Sequence, residues 1–126
     1  MTHTNHVPPH QRLDAYRVAI ELFRGVEGVA AGFPRGYGDM KDQLRRAAGA
    51  VVRNIAEGAN RQHPGDKCAR FVVARGEAGE CEATLEMAEI VGVLDCYEAQ
   101  RLRRLAARVA AILGGLIRHQ RRLTPG

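Results

Sequence analysis

The sequence contains no tryptophan, and its other aromatic residues are few. Three Phe and three Tyr are spread over 126 residues, and Tyr16, Phe23 and Phe71 fall on stripes that we assign to the core. Proteins that hold single-stranded nucleic acid stack its bases on exposed aromatic rings. The scarcity of such rings disfavours a stacking platform, so any nucleic acid should be contacted mainly through its backbone.

Long apolar runs are also missing. No stretch of about 18 uncharged apolar residues occurs, as a membrane-spanning helix would need. The first residues lack the basic start, apolar run and small-residue cleavage site of a secretory signal. These absences predict a soluble, cytoplasmic protein that makes no contact with a membrane.

Chemically reactive patterns are scarce as well. Cys68, Cys81 and Cys96 form no Cys-x-x-Cys pair, which favours buried, reduced thiols over zinc binding or redox exchange. No nucleophile stands beside a base, no glycine-rich loop could cradle phosphate, and no metal-ligand spacing occurs. We therefore expect no catalytic site, no metal site and no cofactor, and a small hydrolase is the weakest functional hypothesis.

Four segments have the three-and-four apolar spacing of amphipathic helices, at 11–31, 39–59, 66–94 and 98–123. Breaks that contain Gly and Pro, at 32–38 and 60–65, and a short turn at 95–97 separate them, and Asp39 is the expected N-cap of the second. Short connections predict an all-α, up-down-up-down antiparallel four-helix bundle over 11–123, preceded by a disordered leader at 1–10. The residues expected to face the core are listed here for helices one to four in turn: Leu13, Tyr16, Ile20, Phe23, Val26 and Ala30; Met40, Leu44, Ala47, Val51 and Ile55; Phe71, Ala74, Ala78, Cys81, Leu85 and Ala88; and Leu102, Leu105, Val109, Ile112, Leu113 and Leu116.

The third helix has a second apolar stripe, roughly opposite the first at ~100° per residue. One stripe serves the core of the bundle, so the second needs another partner. We expect it to be an interface between copies of the chain. Its residues are Val72, Gly76, Gly79, Ala83, Met87, Ile90 and Leu94.

Charge is unevenly distributed along the chain. Residues 66–97 hold three basic and seven acidic side chains, whereas residues 98–126 hold seven basic and one acidic. All seven basic residues are arginines, which grip phosphate with two parallel hydrogen bonds. We therefore predict that a basic band on helix four contacts an RNA or DNA backbone; a solvated face, or pairing with an acidic partner or subunit, is the alternative. The band comprises Arg101, Arg103, Arg104, Arg108, Arg118, Arg121 and Arg122.

Helix two and the turn after it carry a distinctive motif. It reads Gln43-Leu-Arg-Arg-Ala47 and then Asn54-Ile-Ala-Glu-Gly58 with Arg61 behind it, flanked by Phe33-Pro34 and Tyr37 and by Phe71, Ala74 and Glu80. Over residues 12–120 the chain resembles the four-helix-bundle family of 23S rRNA intervening-sequence proteins, which includes accessory variability determinant proteins of diversity-generating retroelements. The sequence departs from that pattern in a short loop after Pro34 and in Glu77, where serine is usual.

The resemblance implies a barrel-like homopentamer with a positively charged surface. For retroelement members it also implies binding to RNA or DNA and a reverse transcriptase as partner. The runner-up hypothesis is a non-catalytic protein scaffold whose basic face meets an acidic partner.

The motif residues themselves suggest a structural polar network in preference to an active site. Glu57 lies near a helix C-terminus, where its charge opposes the helix dipole, so we expect an arginine to pair with it, from among Arg45, Arg46, Arg61 and Arg75. Gly58 is expected to end the helix in a left-handed conformation. The predicted network comprises Arg45, Arg46, Asn54, Glu57, Arg61 and Glu80.

Overall fold

The computed structural model of the protein describes residues 9–124, in which four long helices follow a short 3-10 turn at Pro9–Arg12. Helix α3 packs along both α2 and α4, and α1 packs against the same two helices from the other side. This arrangement confirms the all-α, up-down-up-down antiparallel four-helix bundle. Residues 9–124 contain no strand. The helices are α1 Asp14–Ala30, α2 Gly38–Ala59, α3 Pro64–Ile90 and α4 Cys96–Leu123.

The predicted inward stripe of α3 is confirmed, since all six of its residues are at most 2% exposed. In α1 the buried face is rotated relative to the prediction. Leu13, Tyr16, Ile20 and Phe23 are only half-buried, because α1 faces both α2 and α4 and larger side chains fit at the edges of the core. The residues that fill the centre on α1 are Ala15, Val18, Ala19, Leu22, Val26 and Ala30.

Helix α4 shows a similar shift. Leu102, Val109 and Leu113 are buried as predicted, whereas Leu105, Ile112 and Leu116 are half-buried. The small Ala106 and the larger Ile117, which the apolar pattern did not single out, take core positions instead. In α2, four of the five predicted residues are buried and Met40 is half-buried at its start.

The end of α3 differs from the prediction for a clear reason. Gly92 adopts a φ of +79°, its N–H donates to the Glu89 carbonyl, and the Val93 N–H donates to the Ala88 carbonyl at 2.8 Å. This is the Schellman arrangement, which stops the helix at Ile90. The chain then turns inward, so Leu94 is 8% exposed and belongs to the core of its own protomer, contrary to its predicted place in the interface.

Two helix starts also bear on the predictions. Helix α2 has Tyr37 as its N-cap, so Asp39 lies in the first turn and the expected cap is wrong. An acidic residue there still complements the helix dipole. Helix α4 has Asp95 as its N-cap, and the Asp95 carboxylate accepts a hydrogen bond from the Glu98 N–H at 2.8 Å.

The predicted leader lies mostly outside the described residues, and so do His3 and His6. Pro9 and His10 belong to the 3-10 turn, where the His10 ring meets Tyr16 edge-on at 4.8 Å between centroids. The three cysteines are free; Cys81 is buried, Cys68 is half-buried and Cys96 is exposed, so the expectation of buried thiols is wrong for Cys96. In residues 9–124 we find no helix with the length and hydropathy that a membrane crossing requires.

Candidate nucleic-acid interface and assembly surface

The arginines of α4 lie along almost the whole helix, from Arg101 to Arg122, a distance of about 30 Å. Arg101 and Arg103 are half-buried and the other five are exposed. An uncharged segment, residues 109–117, divides them into a group of four near the start of the helix and a group of three near its end. The band therefore consists of two basic patches on one continuous helix.

The seven arginines do not all share one direction. At ~100° per residue, Arg104, Arg108, Arg118 and Arg122 fall within a ~80° arc opposite the buried face, and Arg101 lies beside it. We call these five the outer row. At the same spacing Arg103 and Arg121 lie on the α3 side of the helix, where Arg103 meets Glu89.

Few carboxylates neutralise this band. Arg101 pairs with Glu98 at 3.9 Å and Arg103 with Glu89 of α3 at 3.8 Å. Within the described chain, no carboxylate lies within 4 Å of Arg104, Arg108, Arg118, Arg121 or Arg122. The Nε of Arg103 is buried without a hydrogen-bond partner between α3 and α4. Most of the band is thus free to meet an anion.

The second face of α3 remains uncovered in the protomer. Met87 is 52% exposed and Ile90 is 75% exposed, while Gly76, Gly79 and Ala83 are also exposed and Val72 is half-buried. A Cβ atom placed on Gly76 or Gly79 would meet nothing within 4 Å. Six of the seven predicted interface residues therefore keep exposed surface, and only Leu94 is withdrawn into the core.

An apolar groove borders this face where the start of α2 meets the end of α3. Its volume is about 460 Å³, and Met40, Ala83, Thr84 and Met87 form much of its lining. Asp39, Gln43 and Glu80 supply its polar rim. The groove extends the open face of α3 onto α2, so the uncovered apolar surface involves two helices.

The predicted polar network is in fact three separate contacts. In the first, Arg45 of α2 donates two hydrogen bonds to Glu27 of α1, at 2.8 and 3.1 Å. These bonds lower the pKa of Glu27 and raise that of Arg45. This two-pronged geometry joins α1 to α2 at the surface of the bundle.

The second contact joins α2 to α3. Arg46 donates to Glu80 at 2.6 Å and to Glu77 at 3.4 Å. Hydrogen bonds to Glu80 and then Glu77 raise the pKa of Arg46. Glu77, the residue that departs from the family pattern, is therefore a second acceptor for the same guanidinium group.

The third contact contains Asn54 and Glu57. Asn54 donates to the Ala50 carbonyl at 2.9 Å and accepts from Arg70 at 3.3 Å. Glu57 pairs with Arg70 at 3.5 Å and with Arg61 at 3.7 Å. The prediction that one of four arginines pairs with Glu57 is confirmed by Arg61, and Arg70, which lies on the next helix, is a second partner that the sequence does not indicate.

Gly58 has a different role from the one predicted. It lies inside α2 with no positive φ, and it is buried. A Cβ at this position would lie 2.8 Å from the Phe71 ring and 3.0 Å from the Cβ of Arg70. Gly58 therefore allows α2 and α3 to approach closely, and the motif around it packs two helices together.

Two of the thiols, Cys81 and Cys96, are not activated as nucleophiles. Burial raises the pKa of Cys81 to about 12, and a hydrogen bond with Glu89 raises the pKa of Cys96. Both are therefore protonated near neutral pH, and the thiolate is the nucleophilic form. Within residues 9–124, no group of three His, Cys, Asp or Glu side chains is arranged to hold a metal ion.

Comparisons with known proteins agree with the fold. The chain resembles a solved protein of unknown function from the S23 ribosomal protein family of Bacteroides thetaiotaomicron, with a TM-score of 0.76 and 17% sequence identity. That match covers 82% of this chain and 97% of the other, and at this identity it establishes the fold alone. No curated protein matches significantly. Residues 11–115 match the model of the 23S rRNA-intervening sequence protein family, and the chain belongs to that family.

Proposed function

We propose that this protein is a homo-oligomeric, non-catalytic accessory protein that binds RNA through the arginines of α4. The observation that carries the proposal is the outer row, four of whose five arginines have no carboxylate within 4 Å in the described chain: Arg104, Arg108, Arg118 and Arg122. The family name, which refers to an intervening sequence of 23S rRNA, favours RNA over DNA.

Electrostatics supports this use of the band. Each phosphate that an arginine neutralises releases condensed counterions, so affinity rises with the number of simultaneous contacts. One protomer offers a row ~30 Å long. Several copies in one ring would repeat that row, and contacts on different copies would reinforce one another.

Assembly is supported by the open face of α3. Soluble monomers rarely expose contiguous apolar surface beyond a few hundred Å². Met87 and Ile90 are both exposed, and Met87 also lines an apolar groove. The exposed Gly76 and Gly79 would let a second backbone approach closely. We propose that copies associate through this face, as a pentamer by resemblance to the family.

RNA binding is tested with the triple variant Arg104→Gln, Arg108→Gln and Arg118→Gln. The matched control is Arg17→Gln, Arg24→Gln and Arg35→Gln, which removes the same charge from exposed sites elsewhere. Affinity for generic RNA is measured at several salt concentrations. The outer-row variant should lower the log–log salt slope by about 2 to 3, because each lost phosphate contact contributes ~0.7 to 0.9.

Two results would contradict this part of the proposal. One is the absence of any RNA binding at low salt by protein that is folded and assembled. The other is an equal loss of affinity in both triple variants, since that would reflect net charge and not the outer row.

Assembly is tested with Gly76→Leu and Gly79→Leu, measured by light scattering. Both positions are open in the protomer, so the helix should tolerate leucine while close approach of another copy is blocked. Gly28→Leu is the control, because that site on α1 is equally open. A wild-type monomer, or variants that keep the assembled mass, would remove the proposed interface.

A protein scaffold is the second candidate, favoured by the acidic character of α3. Residues 66–97 carry seven acidic side chains. In this second candidate the arginines of α4 pair either with these acidic side chains of a neighbouring copy or with a separate acidic protein. Changing Arg101, Arg104 and Arg108 together to Glu separates the two. Assembly survives if the band binds RNA and fails if the arginines hold subunits together.

The retroelement resemblance adds a reverse transcriptase as a proposed partner. Copurification of this chain with a reverse transcriptase expressed from a neighbouring reading frame is the test. If no such gene lies nearby, or if the two proteins fail to copurify, this partner is removed while RNA binding stands.

A further inference from the structure

One aromatic side chain is left in solvent. Tyr97 is 73% exposed, whereas the other five aromatic residues of the chain are buried or half-buried. Those five are Tyr16, Phe23, Phe33, Tyr37 and Phe71. A ring with this exposure contributes little to the core and is accessible to a partner outside the protomer.

Its position on α4 points to the nature of that contact. Tyr97 lies in the first turn, and Arg101, Arg104 and Arg108 follow at spacings of four, seven and eleven residues. Residues at these spacings share one helix face. Tyr97 therefore continues the outer row at the end of the bundle where α3 turns into α4.

An exposed ring next to a row of guanidinium groups matches the chemistry of unpaired nucleic acid. Single strands are held by cationic side chains along the backbone and by aromatic faces that stack on bases. A base inside a duplex is already stacked and cannot use the ring, whereas loops, bulges and ends offer free bases. Ile90 and Val91 at the end of α3 are also exposed, but only Tyr97 shares the face of α4 that carries the arginines.

We propose that Tyr97 stacks on an unpaired base of bound RNA while Arg101, Arg104 and Arg108 hold the phosphates beside it. The inference rests on the proposed function and names its substrate class: RNA with an unpaired segment. It also revises the expectation from composition that no stacking platform exists. One well-placed ring can serve where the total number of rings is low.

The absence of tryptophan makes a direct test possible, because Tyr97→Trp introduces the chain's sole indole. A 12-nucleotide single-stranded oligouridylate, whose bases stack little on one another, should quench its fluorescence as bases stack on the ring. A blunt RNA duplex of the same length should bind through the arginines with little quenching. Equal quenching by both probes would overturn the inference.

The affinity test uses Tyr97→Ala with the same two probes. Base–aromatic stacking is worth about 1–3 kcal/mol per base, so affinity for the single strand should fall about 5- to 150-fold. Affinity for the duplex and the salt slope should be unchanged. Leu123→Ala, which also removes an exposed apolar side chain from α4, is the control and should affect neither probe.

The possible failures are distinguishable. If Tyr97→Ala binds the single strand as well as wild type while the outer-row variant does not, the stacking inference is wrong and the proposed function stands. If Tyr97→Ala reduces the assembled mass, the ring belongs to a subunit interface and the inference is again overturned. If no variant, including wild type, binds either probe at low salt, both proposals fail.

Discussion

Helix α2 and the outer surfaces of α3 and α4 use the same residue types in opposite ways. On α2, Arg45 and Arg46 each hold a carboxylate of a neighbouring helix within 2.8 Å, and Gly58 fits directly against Phe71. On the outer surfaces, most arginines lack a carboxylate within reach, and glycines such as Gly76 face open space. Residue type alone therefore does not separate a structural contact from an available surface.

The difference lies in what surrounds each residue. A paired arginine has its hydrogen bonds already made, so an anion would have to displace a carboxylate to bind there. An unpaired arginine gives up only water. The α2 contacts should therefore determine stability, and the outer surfaces should determine assembly and binding.

The largest expected contrast is between two aromatic residues. Phe71→Ala should lower the free energy of unfolding by about 3–5 kcal/mol, because it empties a fully packed site between α2 and α3. Tyr97→Ala should change it by no more than about 0.5 kcal/mol. Urea denaturation at one protein concentration measures both. Similar losses in the two variants would show that Tyr97 is packed in the folded protein and would break the comparison.

A smaller contrast separates two glycines. Alanine at Gly58 would press on the Phe71 ring, and overpacking of this kind costs about 1–3 kcal/mol. Alanine at Gly28, which is open, should raise stability by about 0.5–1 kcal/mol because glycine is a poor helix former. Denaturant midpoints that move in opposite directions are expected. A stabilised Gly58→Ala variant would mean that close approach of α2 and α3 is not what requires this glycine.

The sequence predicted the fold well because that prediction needed only periodicity. Four apolar repeats, separated by two breaks that contain glycine and proline and by one short turn, predict four helices, and short connections predict their order. The inward stripe of α3 was predicted in full for the same reason. The stripe of α1 was not, since choosing between Leu13 and Ala15 depends on which neighbours the helix meets, and a single-helix pattern carries no such information.

The candidate site was predictable in part. Arginine spacing located the band on α4, but the side toward which Arg103 turns depends on Glu89 of another helix. The Asn54 motif was recognised, whereas its partner Arg70 lies beyond the loop and needed the packed structure. The sequence does not single out Tyr97, because a count of aromatic residues does not reveal which ring is exposed. In each case the missing information was a contact between helices.

The smallest expected effect concerns the pair that joins α1 to α2. Arg45 lowers the pKa of Glu27 in the folded protein below its usual 4.5, so folding favours the ionised carboxylate. This contribution to stability is complete above the unfolded pKa and disappears as pH falls through the lower folded pKa. The free energy of unfolding of wild type minus that of Glu27→Gln should therefore be constant near pH 6 and shrink below about pH 4.5. The control is Arg108→Gln, which removes an outer-row arginine without a nearby carboxylate. The free energy of unfolding of wild type minus that of this variant should not change over the same pH range. A matching decline would mean that Arg108 also has a carboxylate partner, and that α2 and α4 do not differ in the way proposed.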